Sequence, residues 1–342
     1  LTQIHYLKKQ VFFSMNKNIL IIGGGGYIGC ELVNYLLNKN YKVSVLDIFF
    51  YGEEVFKKIK SNRNLKIIKG DIRNRNIVKK SFLDITDVIH LACISNDPSA
   101  LLNPDLTKDI NQNGFKIILE EARLANIDKF IFASSSSVYG ISNEPNVYET
   151  HPRVPLSLYN ISKAWCEDYL INNFKDLNYT IIRPATVCGL SNRQRLDLSV
   201  NMLTAQAIIN KKITVFGGEQ YRPNLNIKDM IRLYEFLLET NSNNIRHEIF
   251  NASYKNLKII EIAEGIAKNI NQEIKIDFQN SDDKRSYRVN SSKLKSIGFD
   301  YNFKIEDAIA DLNNAFINKI LNKNIDLNIY HNVKLMLNLN VK

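Results

Sequence analysis

Tyr159 and Lys163 lie four residues apart, and their types and spacing predict proton transfer. On a helix, side chains at positions i and i+4 share a face, so the phenol and the ammonium would be neighbours. An ammonium about 4 Å from a phenol, at an effective dielectric of about 20, would favour the phenolate by roughly 4 kcal/mol. That energy would bring a phenol pKa of ~10 close to neutrality, where the group exchanges protons with a substrate hydroxyl.

Three glycines, Gly23, Gly26 and Gly29, separate an apolar run from an amphipathic stretch. Glycine at these positions permits a tight turn, the approach of a pyrophosphate to the backbone, and close packing of a helix on a strand. Asp47 closes the next apolar run about twenty residues later, where a carboxylate binds the adenosine ribose 2′-hydroxyl and repels a 2′-phosphate. The pattern predicts an NAD site, unless the glycines only serve the turn. Together with the tyrosine, NAD predicts alcohol–ketone chemistry.

Further candidate site residues follow the later apolar runs. Asp71 comes after the third run, Leu91 and Ala92 end the fourth, and Ser135 lies among serines after the fifth. Because the carboxyl ends of parallel strands meet at one edge, these residues would line one crevice. Each also has a plainer explanation: a turn residue, apolar packing, or a polar loop that satisfies its own backbone.

The composition is that of an ordinary globular protein of 342 residues, with 45% apolar and 23% charged residues. No apolar run approaches the ~18 residues that span a bilayer, so we expect no membrane partner. The formal net charge of +10 comes from lysines scattered among Asn and Ile. This distribution disfavours a nucleic-acid partner and suits an anionic substrate.

The cysteines and histidines predict no metal site. Cys30, Cys93, Cys166 and Cys188 are far apart and form no CxxC pair, and the histidines form no cluster at metal-ligand spacing. Isolated thiols are typical of a reducing cytoplasm, where we expect the protein. His90 ends an apolar run and is expected to pack at a strand end.

Short apolar runs alternate with amphipathic stretches, which predicts an α/β fold with a doubly wound parallel Rossmann sheet. The predicted strands are 18–22, 42–47, 65–69, 87–92, 129–133 and 179–183, and the predicted helices are 27–39, 53–60, 75–83, 105–126 and 159–174. After Pro184 the alternation weakens and indicates a smaller mixed α/β C-terminal substrate lobe. Its predicted strands are 213–216, 248–251 and 273–277, and its predicted helices are 227–240, 257–269 and 304–320.

These patterns divide the chain into four parts. Residues 1–14 precede Met15 and are expected to be a translation-start artefact or a loose extension. Residues 15–184 would form the NAD-binding domain. Residues 185–320 would form the substrate-binding lobe, interleaved with that domain, and residues 321–342 an uninformative tail.

Six motifs occur in the order found in a known superfamily. They are the glycine run 23–29, Gly70-Asp71-Ile72, His90-Leu91-Ala92, Ser135 four residues before Tyr139, Tyr159 with Lys163, and Arg183-Pro184 with Val187 and Gly189. In these motifs, over about residues 16–320, the chain resembles the extended short-chain dehydrogenase/reductases, and specifically their nucleotide-sugar epimerases, dehydratases and dehydrogenases. The motifs are highly specific for the superfamily and much less so for the reaction.

The resemblance implies a role for each matching residue. Tyr159 would be the acid/base, Lys163 would lower its pKa and hold the nicotinamide ribose, and Ser135 would bind the reacting oxygen. The implied NAD-binding residues are Gly23, Gly26, Tyr27, Ile28, Gly29, Asp47, Asp71, Ile72, Leu91, Ala92, Tyr159, Lys163 and Pro184. The implied substrate-binding residues are Ser136, Thr186, Arg195, Asn201, Arg222 and Arg285. Arg222 and Arg285 would grip a diphosphate, unless they are ordinary surface arginines.

The chain also departs from the family pattern. Ile22 replaces the usual Thr before the first glycine, and Cys188 stands where an aromatic residue is common. Ser136 and Ser137 occupy the positions at which the related 4,6-dehydratases carry Asp and Glu for the elimination step. The missing carboxylates disfavour a dehydratase.

The resemblance therefore implies an NAD-dependent enzyme that acts at C4 of a nucleotide-diphospho-sugar through a 4-keto intermediate, in surface-polysaccharide precursor synthesis. An epimerase and a 4-dehydrogenase or reductase need the same catalytic groups, so both remain open. Two further alternatives are a non-catalytic dinucleotide sensor, which is a different class of protein, and an enzyme for small non-nucleotide alcohols. The resemblance also implies a homodimer formed through helices 105–126 and 159–174.

Overall fold

A seven-stranded parallel sheet forms the centre of the computed structural model, which describes residues 17–270, 273–281 and 285–338. The strands along the chain are β1 (Asn18–Ile22), β2 (Lys42–Asp47), β3 (Leu65–Lys69), β4 (Asp87–His90), β5 (Lys129–Ala133), β6 (Tyr179–Pro184), β7 (Thr186–Cys188), β8 (Lys212–Phe216), β9 (Tyr221–Asn226), β10 (Glu248–Ala252), β11 (Lys255–Lys258) and β12 (Lys275–Gln279). The central sheet has the order β10-β6-β5-β4-β1-β2-β3. The predicted doubly wound α/β fold is confirmed.

The helices of the described residues are α1 (Tyr27–Asn38), α2 (Arg75–Ser81), α3 (Asp97–Leu102), α4 (Pro104–Lys108), α5 (Phe115–Leu124), α6 (Leu158–Asn173), α7 (Ser199–Asn210), α8 (Ile227–Glu239), α9 (Ile259–Asn269), α10 (Ser292–Ser296), α11 (Ile305–Ile317) and α12 (Asn332–Asn338). Helix α1 shows why these segments fold as they do: Leu32, Val33, Leu36 and Leu37 recur at helical spacing and are all buried. They pack with buried residues of α8 on one face of the sheet, and α5 and α6 cover the other face.

The strand order reverses direction between β1 and β4. The chain runs from β1 outward to β3 and then returns to add β4 on the other side of β1. In such a sheet a crevice opens beyond the carboxyl ends of the two strands. Leu91 and Ala92 were predicted to extend β4, but both amides donate to the carbonyl of Ile22, at 2.8 and 2.9 Å, and the strand ends at His90. This junction brings the residues after β4 close to the turn after β1.

The smaller elements after β6 surround a separate apolar cluster. Strands β11, β9 and β7 form one sheet, and β12 pairs with β8 in a two-stranded sheet. Helices α7, α9 and α11 contribute buried residues to the cluster, which includes Val200, Ile213, Ile262 and Ile309. Strand β10 returns to the central sheet beside β6. The division at residues 184 and 320 stays a prediction, and residues 1–14 lie outside the described part of the chain.

Some predicted elements differ from the structure. The predicted helix 53–60 is only a 3₁₀ turn, Glu54–Phe56, in which Phe56 is buried while Val55 and Ile59 pack against the same core cluster. The predicted helix 105–126 is divided into α4, a π-helical turn (Asp109–Gly114) and α5. In that turn the Asn111 side chain faces inward, where its Oδ1 accepts from the Ile94 amide at 2.8 Å and its Nδ2 donates to the Ile94 carbonyl at 3.1 Å. Strands β7, β9 and β11 and helices α3, α7, α10 and α12 were not predicted.

A buried ion pair joins α6 to the central sheet. Glu167 on α6 accepts from Arg183 on β6, with Nη2 at 2.6 Å and Nε at 3.0 Å, and both side chains are almost fully buried. Ser134, which follows β5, donates its hydroxyl to the same carboxylate. Arg183 also donates to the Tyr139 hydroxyl at 2.8 Å. The pair therefore fixes α6 relative to the ends of both β5 and β6.

Replacing Glu167 by Gln should lower the free energy of unfolding by about 3 kcal/mol, because the buried guanidinium of Arg183 would lose its counter-charge. The measurement is urea unfolding followed by circular dichroism. Asp168→Asn is the matched control on the same helix, because Asp168 is exposed and pairs with Arg153 at the surface; it should cost less than about 1 kcal/mol. Equal losses in the two variants would contradict the importance assigned to the buried pair.

Candidate active site

A cavity of about 810 Å³ lies beyond the carboxyl ends of the central strands. It brings together nearly all of the residues that the sequence singled out. The predicted residues that line it are Gly23, Gly26, Tyr27, Ile28, Gly29, Asp47, Asp71, Ile72, Leu91, Ala92, Ser135, Ser136, Tyr159, Lys163, Pro184, Thr186, Arg195, Arg222 and Arg285. Their roles remain proposals, but their common location follows from the strand order.

The glycine turn after β1 has the shape that a dinucleotide requires. Gly23 has a φ of 87°, and a Cβ there would lie 2.5 Å from the Ala92 amide nitrogen. A Cβ on Gly29 would lie 2.5 Å from the carbonyl oxygen of Gly23, so α1 can approach β1 only with glycine at this position. A Cβ on Gly26 would meet only the Gly23 oxygen, at 3.4 Å. The turn therefore leaves the first amides of α1, which have no partner within the helix, accessible to an anion.

Asp47 and Asp71 stand at the ends of neighbouring strands, as predicted. The Asp47 carboxylate accepts the amides of Gly25 at 2.8 Å and Phe49 at 2.6 Å, which orient it beside the glycine turn. Burial raises the pKa of Asp47, although these amides oppose the shift. Burial also pushes the pKa of Asp71 upward, but hydrogen bonds from Arg73 outweigh it and leave that pKa below its usual value.

The serine turn after β5 holds the hydroxyls that face the predicted acid/base. Ser135 caps a 3₁₀ turn, Ser136–Tyr139, and its Oγ lies 2.7 Å from the Oγ of Ser137. Ser137 donates to Oδ1 of Asn160 at 2.6 Å, which connects the turn to the start of α6. Ser135 is also close enough to Tyr159 for its hydroxyl to lower the pKa of the phenol. The arrangement places Ser135 and Tyr159 where both can bind one substrate oxygen.

The predicted effect of Lys163 on Tyr159 requires a correction. Burial raises the pKa of Tyr159, whereas the Ser135 hydroxyl and the charge of Arg195 lower it by smaller amounts. The Lys163 ammonium donates to the Ala133 carbonyl at 2.6 Å and lies 5.0 Å from the centre of the Phe132 ring. The helical spacing was right, but the ammonium is directed at the end of β5 and desolvation dominates at the phenol.

Arg222 and Arg285 line the same cavity from the second half of the chain. Arg222 donates to the Arg285 carbonyl oxygen. Arg285 forms an ion pair with Asp97, whose carboxylate also accepts the Ser157 hydroxyl next to α6. Both arginines are partly exposed and oriented by neighbours, which suits groups that bind a phosphorylated ligand.

Arg195 and Asn201 have different surroundings. Arg195 pairs with Asp197, with Nε 2.8 Å from Oδ1, and both residues line the cavity. Asn201 is fully buried and does not line it. Its amide binds the Tyr27 hydroxyl at 3.1 Å, both backbone groups of Gly189 and the carbonyl of Arg195. Because these bonds occupy its polar atoms, Asn201 supports the site and does not reach a substrate.

Several residues of the cavity were missed by the sequence patterns. They are Tyr51, Asp97, Arg193, Asp197, Tyr287, His331, Asn332 and Lys334. Arg193 stands two residues before Arg195, so its position gave a weak signal. The tail after Leu321 gave none, although Asn332 is buried and its amide donates to the Ser95 hydroxyl at 3.1 Å.

The remaining polar candidates are structural. His90 is buried among Phe115, Phe130 and Phe132, and burial lowers its pKa to about 3, so the ring is neutral. All four cysteines are free. In the described part of the chain, no three His, Cys, Asp or Glu side chains are arranged to hold a metal ion. Nor does any helix in residues 17–270, 273–281 or 285–338 have the length and apolar character needed to cross a membrane.

Comparison with known proteins agrees with this geometry. A putative UDP-glucose 4-epimerase of Methanocaldococcus jannaschii is 34% identical over 220 residues, which are 63% of this chain and 71% of that protein. The structure of a UDP-N-acetylglucosamine 4-epimerase from Methanobrevibacter ruminantium, in complex with UDP-N-acetylmuramic acid, superposes with a TM-score of 0.79 at 26% identity, covering 89% of this chain and 99% of that one. A UDP-glucuronic acid 4-epimerase from Bacillus cereus, in complex with UDP-glucuronic acid and NAD, has a TM-score of 0.79 at 26% identity, covering 89% and 100% of the two chains.

The sequence also matches a protein-family model over most of the central sheet. The matched residues, 19–253, include β1 with its glycine turn, the serine turn, α6 and β10. The match covers more than half of the chain and includes the cavity residues from Gly23 to Arg222. The chain belongs to the NAD dependent epimerase/dehydratase family and is an NAD-dependent enzyme.

Proposed function

We propose that this protein is a nucleotide-sugar 4-epimerase that acts through a 4-keto intermediate. The observation that carries the proposal is the common cavity: Tyr159 and Ser135 share it with the glycine turn and with Arg222 and Arg285. A sugar hydroxyl at the tyrosine and a diphosphate at the arginines would both be held within about 810 Å³. Related 4-epimerases with bound UDP-sugars, described above, support this choice of substrate class.

The residues of the chain supply proton transfer and orientation. Bound NAD would supply reversible hydride transfer at C4 of the sugar, with oxidation and reduction on opposite faces. Tyr159 Oη accepts the proton of the C4 hydroxyl as the ketone forms, and it gives a proton back when the alcohol is restored. Ser135 donates a hydrogen bond to the same oxygen and holds it beside the phenol.

The glycine turn and the strand ends would hold NAD. The first amides of α1 would bind the pyrophosphate, and Asp47 would accept the adenosine ribose hydroxyls. Lys163 on α6 extends its ammonium to the end of β5 within the same cavity, where it would bind the nicotinamide ribose. Pro184 and Thr186, at the end of β6 and the start of β7, would line the nicotinamide and the sugar.

The serine turn at the substrate end favours an epimerase over a dehydratase. Ser136 and Ser137 bind Tyr287 and Asn160, so the serine turn offers hydroxyls where a dehydratase needs carboxylates. The guanidinium groups of Arg222 and Arg285 would hold the diphosphate in either reaction, and in an epimerase they would retain it while the sugar turns over. We also propose that the enzyme is a cytoplasmic homodimer. It would act in the synthesis of precursors for surface polysaccharide, since nucleotide sugars are the donors for glycosyl transfer.

A 4-epimerase should purify with tightly bound NAD(H), because the same cofactor molecule must both oxidise and reduce the sugar. Absorbance and enzymatic cycling on denatured protein would measure near-stoichiometric NAD(H).

Thermal-shift screening against UDP-, GDP-, dTDP- and CDP-sugars would then identify the nucleotide, followed by product analysis at C4. Stoichiometric consumption of added cofactor would instead identify a 4-dehydrogenase or reductase, and loss of water from C6 a dehydratase.

Tyr159→Phe should reduce epimerisation by about 10²- to 10⁴-fold, because the proton donor and acceptor is removed. Bound NAD(H), measured on the purified variant, should be retained. Tyr169→Phe is the control, since Tyr169 lies on α6 outside the cavity and stacks on Trp165. Unchanged turnover in Tyr159→Phe would remove the tyrosine from the mechanism.

Gly26→Ala and Gly29→Ala should fail in different ways. Gly26 has a φ of −81° and space for a Cβ, so its variant should fold with near-normal stability but bind NAD at least about tenfold more weakly, because the methyl occupies the path of the pyrophosphate. The Gly29 variant should be destabilised by more than about 1 kcal/mol, because its Cβ meets the backbone of Gly23 and Gly24 at 2.5–2.8 Å. Thermal unfolding and calorimetric NAD titration separate the two effects. Equal stability of the two variants would contradict the assigned roles.

A further inference from the structure

Arg193 is a buried cation whose hydrogen-bonding capacity is incompletely used. Its residue is 4% exposed, it lines the cavity, and its Nε and Nη1 have no hydrogen-bond partner among the described residues. Its Nη2 donates to Oδ1 of Asn332, and the guanidinium lies 3.9 Å from the centre of the Tyr51 ring. Burying a guanidinium with two unpaired nitrogens is costly, so an anionic ligand that completes its hydrogen bonds would be strongly favoured.

The segment that carries Arg193 is hydrogen-bonded to the N-terminal part of α1. The Ser191 hydroxyl donates to the Tyr27 carbonyl at 2.7 Å, and the Asn192 amide donates to Oε1 of Glu31 at 2.6 Å. The Tyr27 hydroxyl in turn donates to the Gly189 carbonyl at 2.8 Å. These bonds keep Arg193 beside the helix end that binds anions, even though it belongs to the connection between β7 and α7.

The neighbours of Arg193 identify the part of the ligand that it can reach. Tyr51 follows β2 four residues after Asp47, which marks the adenosine ribose. Two residues after Arg193, Arg195 lines the same cavity and its charge lowers the pKa of Tyr159, the proposed acid/base at the nicotinamide end. In a dinucleotide the pyrophosphate lies between these two ends. Carboxylates do not satisfy the guanidinium, because Asp197 pairs with Arg195 and Glu31 accepts the Asn192 amide.

We propose that Arg193 binds the pyrophosphate of NAD together with the first turn of α1. This inference rests on the proposed function for its cofactor site. The cofactor would then be bound by two parts of the chain that are far apart in the sequence, the turn after β1 and the connection after β7. Asn332 would orient the guanidinium through Nη2, which gives the C-terminal segment a part in cofactor retention.

Calorimetric titration of cofactor-stripped protein with NAD⁺, ADP-ribose and UDP tests the proposal. Arg193→Met should weaken NAD⁺ and ADP-ribose about 10- to 100-fold, because charge-assisted hydrogen bonds to the pyrophosphate are lost. UDP affinity should stay within twofold, since Arg222 and Arg285 lie at the proposed substrate diphosphate. Arg75→Met is the control, because Arg75 is half exposed and pairs with Glu120 and Glu121 away from the cavity.

The outcomes separate this inference from the proposed function. Unchanged NAD⁺ and ADP-ribose affinities in Arg193→Met, or an equal loss for UDP, would overturn the pyrophosphate assignment. If the Met variant does not fold, Arg193→Lys keeps the charge but loses the planar fork. That variant should weaken NAD⁺ and ADP-ribose by a smaller factor and leave UDP unaffected; wild-type affinities would overturn the assignment. A wild-type protein that binds neither NAD⁺ nor ADP-ribose would instead refute the proposed function.

Discussion

The position of the candidate acid/base depends on a pair of opposite charges buried beneath it. Glu167 and Arg183 remain charged away from water because each supplies a counter-charge and hydrogen bonds to the other, and Arg153 adds a second guanidinium to the Glu167 carboxylate. Glu167 lies one helical turn after Lys163 and two after Tyr159, and Ser134 directly precedes Ser135. The same carboxylate therefore sets the distance between the helix of the tyrosine and the serine turn.

A second constraint is the close approach of backbone to backbone at the centre of the sheet. The amides of Leu91 and Ala92 share the Ile22 carbonyl, and Gly23 turns away with a positive φ directly afterwards. A side chain on Gly23 would collide with Ala92, so the crevice between β1 and β4 exists only because this position is glycine. The resulting gap beside the Gly23 backbone can admit a dinucleotide, and residues distant in the sequence form it.

Local patterns predicted much of this molecule, and long-range packing accounts for what they missed. The central strands were predicted because strands buried on both faces read as continuous apolar runs, as in β1. The glycine turn, Asp47 and the Tyr159–Lys163 spacing are likewise local. By contrast, Arg193, Asp97 and Asn332 reach the cavity only through contacts with distant segments. Val55, Phe56 and Ile59 pack against the core, so a 3₁₀ turn satisfies the apolar spacing that predicted helix 53–60. The sequence also could not show that Lys163 is directed at the Ala133 carbonyl.

The balance between burial and charge at Tyr159 has a consequence for the chemistry. Desolvation raises the pKa of the phenol more than Ser135 and Arg195 lower it, in part because the Arg195 charge is compensated by Asp197 at 2.8 Å. In this environment burial favours the protonated phenol, so the proposed acceptance of the substrate proton requires a bound ligand that favours the phenolate. A ligand that brings positive charge near the phenol would shift the balance toward the phenolate, whereas a diphosphate would shift it the other way. If Arg222 and Arg285 bind phosphate as we propose, they would also favour the phenolate of Tyr159, because they would compensate the negative charge that a nucleotide carries into the cavity.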